Sequence, residues 1–414
     1  MSSNNSIELL APAGDMEKLT SALHFGADAC YVSGREFGLR KASKNFTLEE
    51  LDSAVRLCHT EGARLYVTMN IVPHDADFDG LLPYVHALEE MKVDGVIVSD
   101  PGIFMEIQTH THLPLHISTQ ASVTNAKTVA FWANLGARRI VLARELSLEE
   151  IRALKGEVGD SVELEAFVHG AMCMSISGRC LLSNYMTGRD ANRGDCAQAC
   201  RWRYGLVEEK RPGEVYPVFE EDGKTFIMNS KDLCLLPHLP EVLAAGITSL
   251  KIEGRVKSSY YVGTVVNAYR RALDAIARGA WDEVLIQTLM GELLKTSHRP
   301  FTTGFAFGNP GRDGQNYAST SYVQDYDFIG VVRGVDEKSH TMAVEVRNRF
   351  QVGDEVEVLR ARREPLLLTL SRIEDCDGQS LRVANRAGDV VTLDVSDAVA
   401  VGDMLRRKKG AVEP

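Results

Sequence analysis

Residues 134–143 read NLGARRIVLA, and the same local phrase returns as HFGADACYV (24–32), MKVDGVIVSD (91–100) and AAGITSLKIEG (244–254). Each passes from the end of a helical pattern, through Gly or Asp-Gly, into a short apolar run. A glycine at that point serves the left-handed C-cap that turns a helix back into a sheet. Working outward, the apolar runs are Ile7–Ala11, Ala29–Val32, Leu65–Met69, Gly95–Val98, Leu115–Ser118, Ile140–Ala143, Leu164–Val168 and Ser249–Ile252, eight in all. Amphipathic segments lie between them, such as Thr47–Glu61, where Thr47 followed by Glu50 predicts an N-terminal capping box. Short strands alternating with helices are the signature of parallel βα units. Eight of them predict an α/β protein built on a (β/α)8, TIM-like barrel, with a doubly wound open sheet as the competing arrangement.

After about residue 300 the texture changes. YDFIGVVRGVDEKSHTMAVEVRNRFQVGDEVEVL (326–359) alternates apolar and polar residues, with turns expected at Gly334 and Gly353, and no helical period follows. The expected division is a barrel over 1–300 with a Cys-rich loop at 170–240, a Gly-rich linker at 301–325, and a small C-terminal β-barrel domain at 326–414. The 414-residue chain is 44% hydrophobic and 25% charged, and no apolar run approaches the length of a membrane helix, roughly 20 residues. MSSNNSIELLAPAGD shows no basic region leading into an apolar stretch, so a reducing, cytoplasmic setting is expected. A net charge of −11 argues against a general basic coat for nucleic acid. Arg138, Arg139 and Arg144, the group Arg189, Arg193, Arg201 and Arg203, and the tail Arg406–Lys409 are local basic clusters whose ordinary reading is a solvated face.

In such a barrel the chemistry sits where the strands end. The residues there are Pro12, Gly14, Ser33, Gly34, Asn70, Asp100, Gln120, Arg144, Glu145, His169, Glu253 and Arg255. Polar residues often just begin loops, but LAREL and KIEGR set charges directly against apolar strands. Arg144, Glu253 and Arg255 are therefore catalytic candidates, and His169 joins them as the one histidine at a strand end beside the cysteine-rich loop.

The long connection after the seventh strand carries Cys173, Cys180, Cys196 and Cys200, and Cys234 follows. Loops of that length tend to be functional, and in a reducing compartment clustered thiols are more often metal ligands than disulfides. Only Cys196 and Cys200 form a short pair of the kind zinc prefers, so the dispersed set is easier to reconcile with an iron–sulfur cluster. Inert burial is the alternative, and it is the favoured reading for Cys30 and Cys58, which sit in strand and helix patterns. No G-x-S-x-G, H-E-x-x-H, P-loop or G-x-G-x-x-G motif occurs, and Arg203 stands where a C-x3-C-x2-C motif would place its third cysteine.

ELLAPAGDMEKL (8–19), GADACYVSGREFGLR (26–40), HGAMCMSISGRCLLSNYMTGRDANRGDCAQACRWRY (169–204), NSKDLC (229–234) and LKIEGRVKSSYYV (250–262) closely resemble the collagenase-like peptidase family U-32. Despite the family's name, the resemblance implies oxygen-independent hydroxylation. For the longer members it implies conversion of a tRNA wobble uridine to 5-hydroxyuridine, with prephenate as oxygen donor. Ribosomal RNA and ubiquinone precursors are other implied substrates, and a collagenase-like peptidase or a tRNA-holding adaptor are the other implied activities. The resemblance also implies a 4Fe-4S cluster held by Cys173, Cys180, Cys196 and Cys234, with Cys200 a fifth candidate. A dicarboxylate such as prephenate would suit Arg144 or Arg255, and a splayed uridine would suit Arg201, Trp202 or Tyr204.

Overall fold

The computed structural model describes residues 7–38, 45–172, 230–310 and 322–409, with 182–189, Ala197 and four two-residue strands between 206 and 225. Eight parallel strands form its first part: β1 (Glu8–Pro12), β2 (Ala29–Ser33), β3 (Arg64–Met69), β4 (Gly95–Val98), β5 (Leu115–Ile117), β6 (Arg139–Val141), β7 (Glu163–Ala171) and β8 (Ser249–Ile252). Each pairs with the next in parallel, and β8 pairs with both β7 and β1. That double pairing closes the barrel and excludes the open sheet. Strands covered on both faces are rich in apolar side chains, and β1, β2 and β4 are buried along their whole length, Glu8 of β1 included.

The helix Leu48–Thr60 opens with the expected capping box: Thr47 Oγ1 accepts from Glu50 N–H and the Glu50 carboxylate accepts from Thr47 N–H. Ser147 and Glu150 repeat it for Leu148–Val158. Cys30 and Cys58 lie side by side in the core, as their positions predicted, and the hydrogen bond with Cys58, with burial added, pushes the Cys30 thiol up.

Strand β7 runs further than the apolar pattern implied. Its last residues, His169, Gly170 and Ala171, pair with Cys234, Leu233 and Asp232 of a short antiparallel strand, here called the strap. Phe301–Thr302, within the stretch expected to be linker, pairs in parallel with the strap.

The chain divides into two compact units: Met1–Leu19, Ala27–Lys257 and Arg299–Tyr322 form one, and Thr20–Gly26, Ser258–His298 and Val323–Pro414 the other. The second holds the helices Ser259–Ala277 and Glu283–Leu293 and a seven-stranded antiparallel half-barrel around Ile329, Val344, Phe350 and Leu405. Two expectations are corrected there. Gly334 lies inside the strand Tyr326–Asp336 at a register shift, a bulge rather than a turn. Arg406 is no solvated tail residue: it is fully buried, 2.6 Å from Glu292 and 2.5 Å from Glu357.

Candidate active site

The floor of the barrel is a closed network of charge. Arg139, expected on a basic surface, is buried inside, 2.5 Å from Glu8, 2.7 Å from Glu163 and 3.2 Å from Glu165. Ser249 Oγ lies 3.0 Å from both Glu8 and Glu165 and donates its one proton to either, Tyr66 donates to Glu8, and Lys251 Nζ is 2.7 Å from Glu165. Burial alone would raise the Glu165 carboxyl, but Lys251 and Arg139 hold it below the ordinary carboxylate range. Burial and the same two cations push His116, packed edge-on against Tyr66, well below the ordinary imidazole value. Sequence reading missed this layer. The signal was present, since ELLAP, RRIVLA, ELEAFV and LKIEG each carry a charge within an apolar run.

One layer higher, Lys251 Nζ sits 4.5 Å from the centre of the Tyr31 ring and 5.5 Å from that of Phe167. The Tyr31 hydroxyl lies 3.0 Å from the carbonyl oxygen of Ile252 and 3.1 Å from Glu253 Oε2. Arg144 donates to the carbonyl of Ala171 at 2.9 Å, its guanidinium 5.3 Å from the Phe167 ring centre. Arg255 donates to Thr68 Oγ1 at 2.9 Å. His169 is buried with its ring edge-on to Phe301, and its carbonyl accepts from Glu253 N–H. The predicted Arg144, His169, Glu253 and Arg255 thus all lie at the strand ends that make the mouth.

Two glycines allow the close packing there. A Cβ on Gly14 would meet the Arg255 carbonyl oxygen at 2.3 Å, and one on Gly170, whose φ is 113°, would meet that of Glu253 at 2.6 Å. Asp100 is a helix cap: its side chain accepts from Gly102 and Ile103 N–H. Ser33 turns its hydroxyl onto the Gly34 carbonyl, and Glu145 is exposed. Asn70 and Gln120 meet each other on the side of the mouth that β3, β4 and β5 build.

Of the expected cluster ligands, Cys234 is described, and Cys173, Cys180 and Cys196, with Cys200, lie outside the described residues, as do Arg201, Trp202 and Tyr204. Cys234 is buried on the strap, in register with His169. The segment bearing the other cysteines leaves after Met172 and returns at Ser230, and Ala171 pairs with Asp232. Its two anchors are therefore neighbours at the mouth, beside a buried soft donor of the kind iron–sulfur clusters take, so this part of the donor set fits. Among the described residues no group of three or more His, Cys, Asp or Glu is placed to hold a metal, and no helix is long and apolar enough to cross a membrane.

Residues 14–316 match peptidase family U32, and 324–406 match the peptidase family U32 C-terminal domain. This chain belongs to peptidase family U32. Its U32 relatives carry two kinds of name. It is 42% identical over 403 residues to tRNA hydroxylation protein P1 of Bacillus subtilis (strain 168), covering 97% of this chain and 95% of that protein. To tRNA hydroxylation protein P of Escherichia coli (strain K12) it is 37% identical, covering 94% and 93%. To a collagenase of Porphyromonas gingivalis (strain ATCC BAA-308 / W83) it is 30% identical, covering 97% and 98%.

Proposed function

We propose that this U32 protein hydroxylates the wobble uridine of tRNA to 5-hydroxyuridine, with an iron–sulfur cluster and prephenate and without molecular oxygen. The observation that carries the reading is the 42% identity, across nearly the whole of both chains, to a protein named for tRNA hydroxylation. The charged barrel mouth supports it. In the net reaction the C5–H bond of uracil and the carbon–oxygen bond of prephenate's hydroxyl are broken and C5–OH is formed; uracil is oxidised by two electrons, and the prephenate carbon that gives up the oxygen takes those electrons and the proton released from C5.

Arg144 and Arg255 are the groups for prephenate's two carboxylates, which match the guanidinium fork. Arg144 is oriented for that role by the Phe167 face and the Ala171 carbonyl, and Arg255 by Thr68. Glu253, held against the Tyr31 hydroxyl, is placed to take or return a proton. His169 fixes the strap by backbone pairing opposite Cys234. Cys173, Cys180, Cys196 and Cys234 would hold the four-iron four-sulfur cluster, with Cys200 as the substitute thiolate. When bound, such a cluster supplies one-electron redox chemistry beside the mouth.

Deleting the gene and measuring tRNA nucleosides derived from 5-hydroxyuridine by mass spectrometry tests the reading. Their loss is expected; unchanged levels in a strain with no second route would sink it. Peptide hydrolysis is the second reading, favoured by the identity to a collagenase. Cleavage of collagen-like peptide by purified protein, dependent on an intact cluster, would establish it.

A further inference from the structure

The side of the mouth built by β3 and β5 holds two polar groups that the roles above leave unused. Asn70 follows β3 and Gln120 follows β5, and Asn70 Nδ2 donates to Gln120 Oε1. Ser118 Oγ, 3.3 Å from the Gln120 backbone nitrogen, accepts that N–H and sends its own proton to Gln120 Oε1, also at 3.3 Å. Both donors thus fix the orientation of the Gln120 amide, with Oε1 turned inward and Nε2 left over. Gln120 Nε2 meets no acceptor among the described residues, although Gln120 as a whole is buried. Asn70 Oδ1 is buried and meets no donor. A buried amide oxygen without a donor has given up its hydration without return, and a native protein keeps such an atom for a reason.

A second observation comes from the loop that follows β2. Phe37 is held at φ 57°, a left-handed conformation that a bulky side chain rarely adopts, and its carbonyl accepts from the N–H of Ile71, the residue after Asn70. Its half-buried ring leans on Tyr84, 5.4 Å between ring centres. Strained residues of this kind collect at ligand sites.

We propose that Asn70 and Gln120 read the edge of a uracil base, with Phe37 as its stacking face. Asn70 Oδ1 accepts from the base N3–H, and Gln120 Nε2 donates to O4. Cytosine presents the opposite pattern, an N3 acceptor beside an N4 donor, and Ser118 opposes the amide reversal that would accommodate it. Ser118 is thus a positioning residue for selectivity. Bases taken out of a loop are commonly read in this way, by hydrogen bonds to that edge and by stacking.

The inference deepens the tRNA reading above and rests on it. Its test uses full-length protein purified anaerobically and a synthetic anticodon stem-loop RNA with uridine or cytidine at the wobble position, with affinity read by fluorescence anisotropy. Wild type is expected to favour the uridine loop by about tenfold, the discrimination that a good paired base contact provides. Gln120→Glu replaces the donor with an acceptor and is expected to bring the ratio near unity. Ser118→Ala is expected to lower the ratio and Ser118→Thr to restore it. A wild-type ratio near unity, or no binding of either loop, overturns the proposal whatever the variants do, as does an undiminished ratio in Gln120→Glu. The two failures separate cleanly. Deletion that leaves the hydroxyuridine nucleosides unchanged removes the hydroxylation reading, whereas their loss beside a wild-type ratio near unity removes only the uracil assignment.

Discussion

The floor and the mouth of the barrel use the same kinds of residue for different ends. On the floor Arg139 and Lys251 each sit within hydrogen-bond distance of a carboxylate, and Glu8 and Glu165 are bridged by both Arg139 and Ser249. At the mouth Arg144 is seated on a backbone carbonyl, Arg255 on the hydroxyl of Thr68, and Glu253 on that of Tyr31. A carboxylate partner offsets the field of a cation, while a carbonyl or hydroxyl partner chiefly orients the side chain. Two layers of one barrel thus differ in kind: the floor is knit by carboxylate–cation contacts, and the mouth holds its charged side chains against carbonyl and hydroxyl groups. The comparison can be broken at either end.

The largest effect belongs to the floor. Arg139→Met leaves Glu8 and Glu165 buried without their shared cation, and about 3–5 kcal/mol of stability should be lost, read from urea unfolding. A loss under about 1 kcal/mol would place Arg139 with ordinary surface arginines and dissolve the distinction. Arg144→Ala, at the half-buried rim, should do the reverse. Tertiary stability should change by less than about 1 kcal/mol, while prephenate affinity falls on the order of a hundredfold, measured by calorimetry on the holoprotein.

A smaller effect follows from His116. Its folded-state pKa lies well below the ordinary value of 6.5, so below about pH 6.5 the unfolded chain takes up a proton that the folded chain does not. Stability should therefore fall by up to about 1.4 kcal/mol per pH unit from there until the depressed folded pKa is reached. Glu165 acts lower. Its folded pKa is depressed, so its contribution is present above the ordinary carboxylate value and is lost as pH falls through the lowered one. Unfolding midpoints at pH 7, 6 and 5 should show the first slope, and His116→Gln should flatten it. An unchanged slope in that variant would move the acid sensitivity elsewhere.

The fold was largely legible because a closed parallel barrel imposes a strong pattern. Each of the eight apolar runs overlaps an observed strand, and Thr47 with Glu50 marked a helix start correctly. What escaped has physical causes. Whether Arg139 points inward is decided by strand register and closure, and in sequence it reads as one of two adjacent arginines on a surface. Arg406 was hidden in the same way within a basic tail. The strap is three residues long, too short to carry a period, and its pairing partner lies on a strand more than sixty residues earlier. The mouth residues were found because strand ends can be counted, but the joining of Asn70 to Gln120 needed the closed barrel.

The central claim is that the mouth beside Cys234 is where tRNA is hydroxylated. The most direct measurement is mass spectrometry of tRNA nucleosides from the deletion strain carrying the wild-type gene, Cys234→Ser or Cys234→Ala, with the accumulated level of each protein measured in parallel. The account predicts that wild type restores the 5-hydroxyuridine-derived nucleosides and that neither variant does so at equal protein level. Full restoration by Cys234→Ala, or none by wild type, would contradict it.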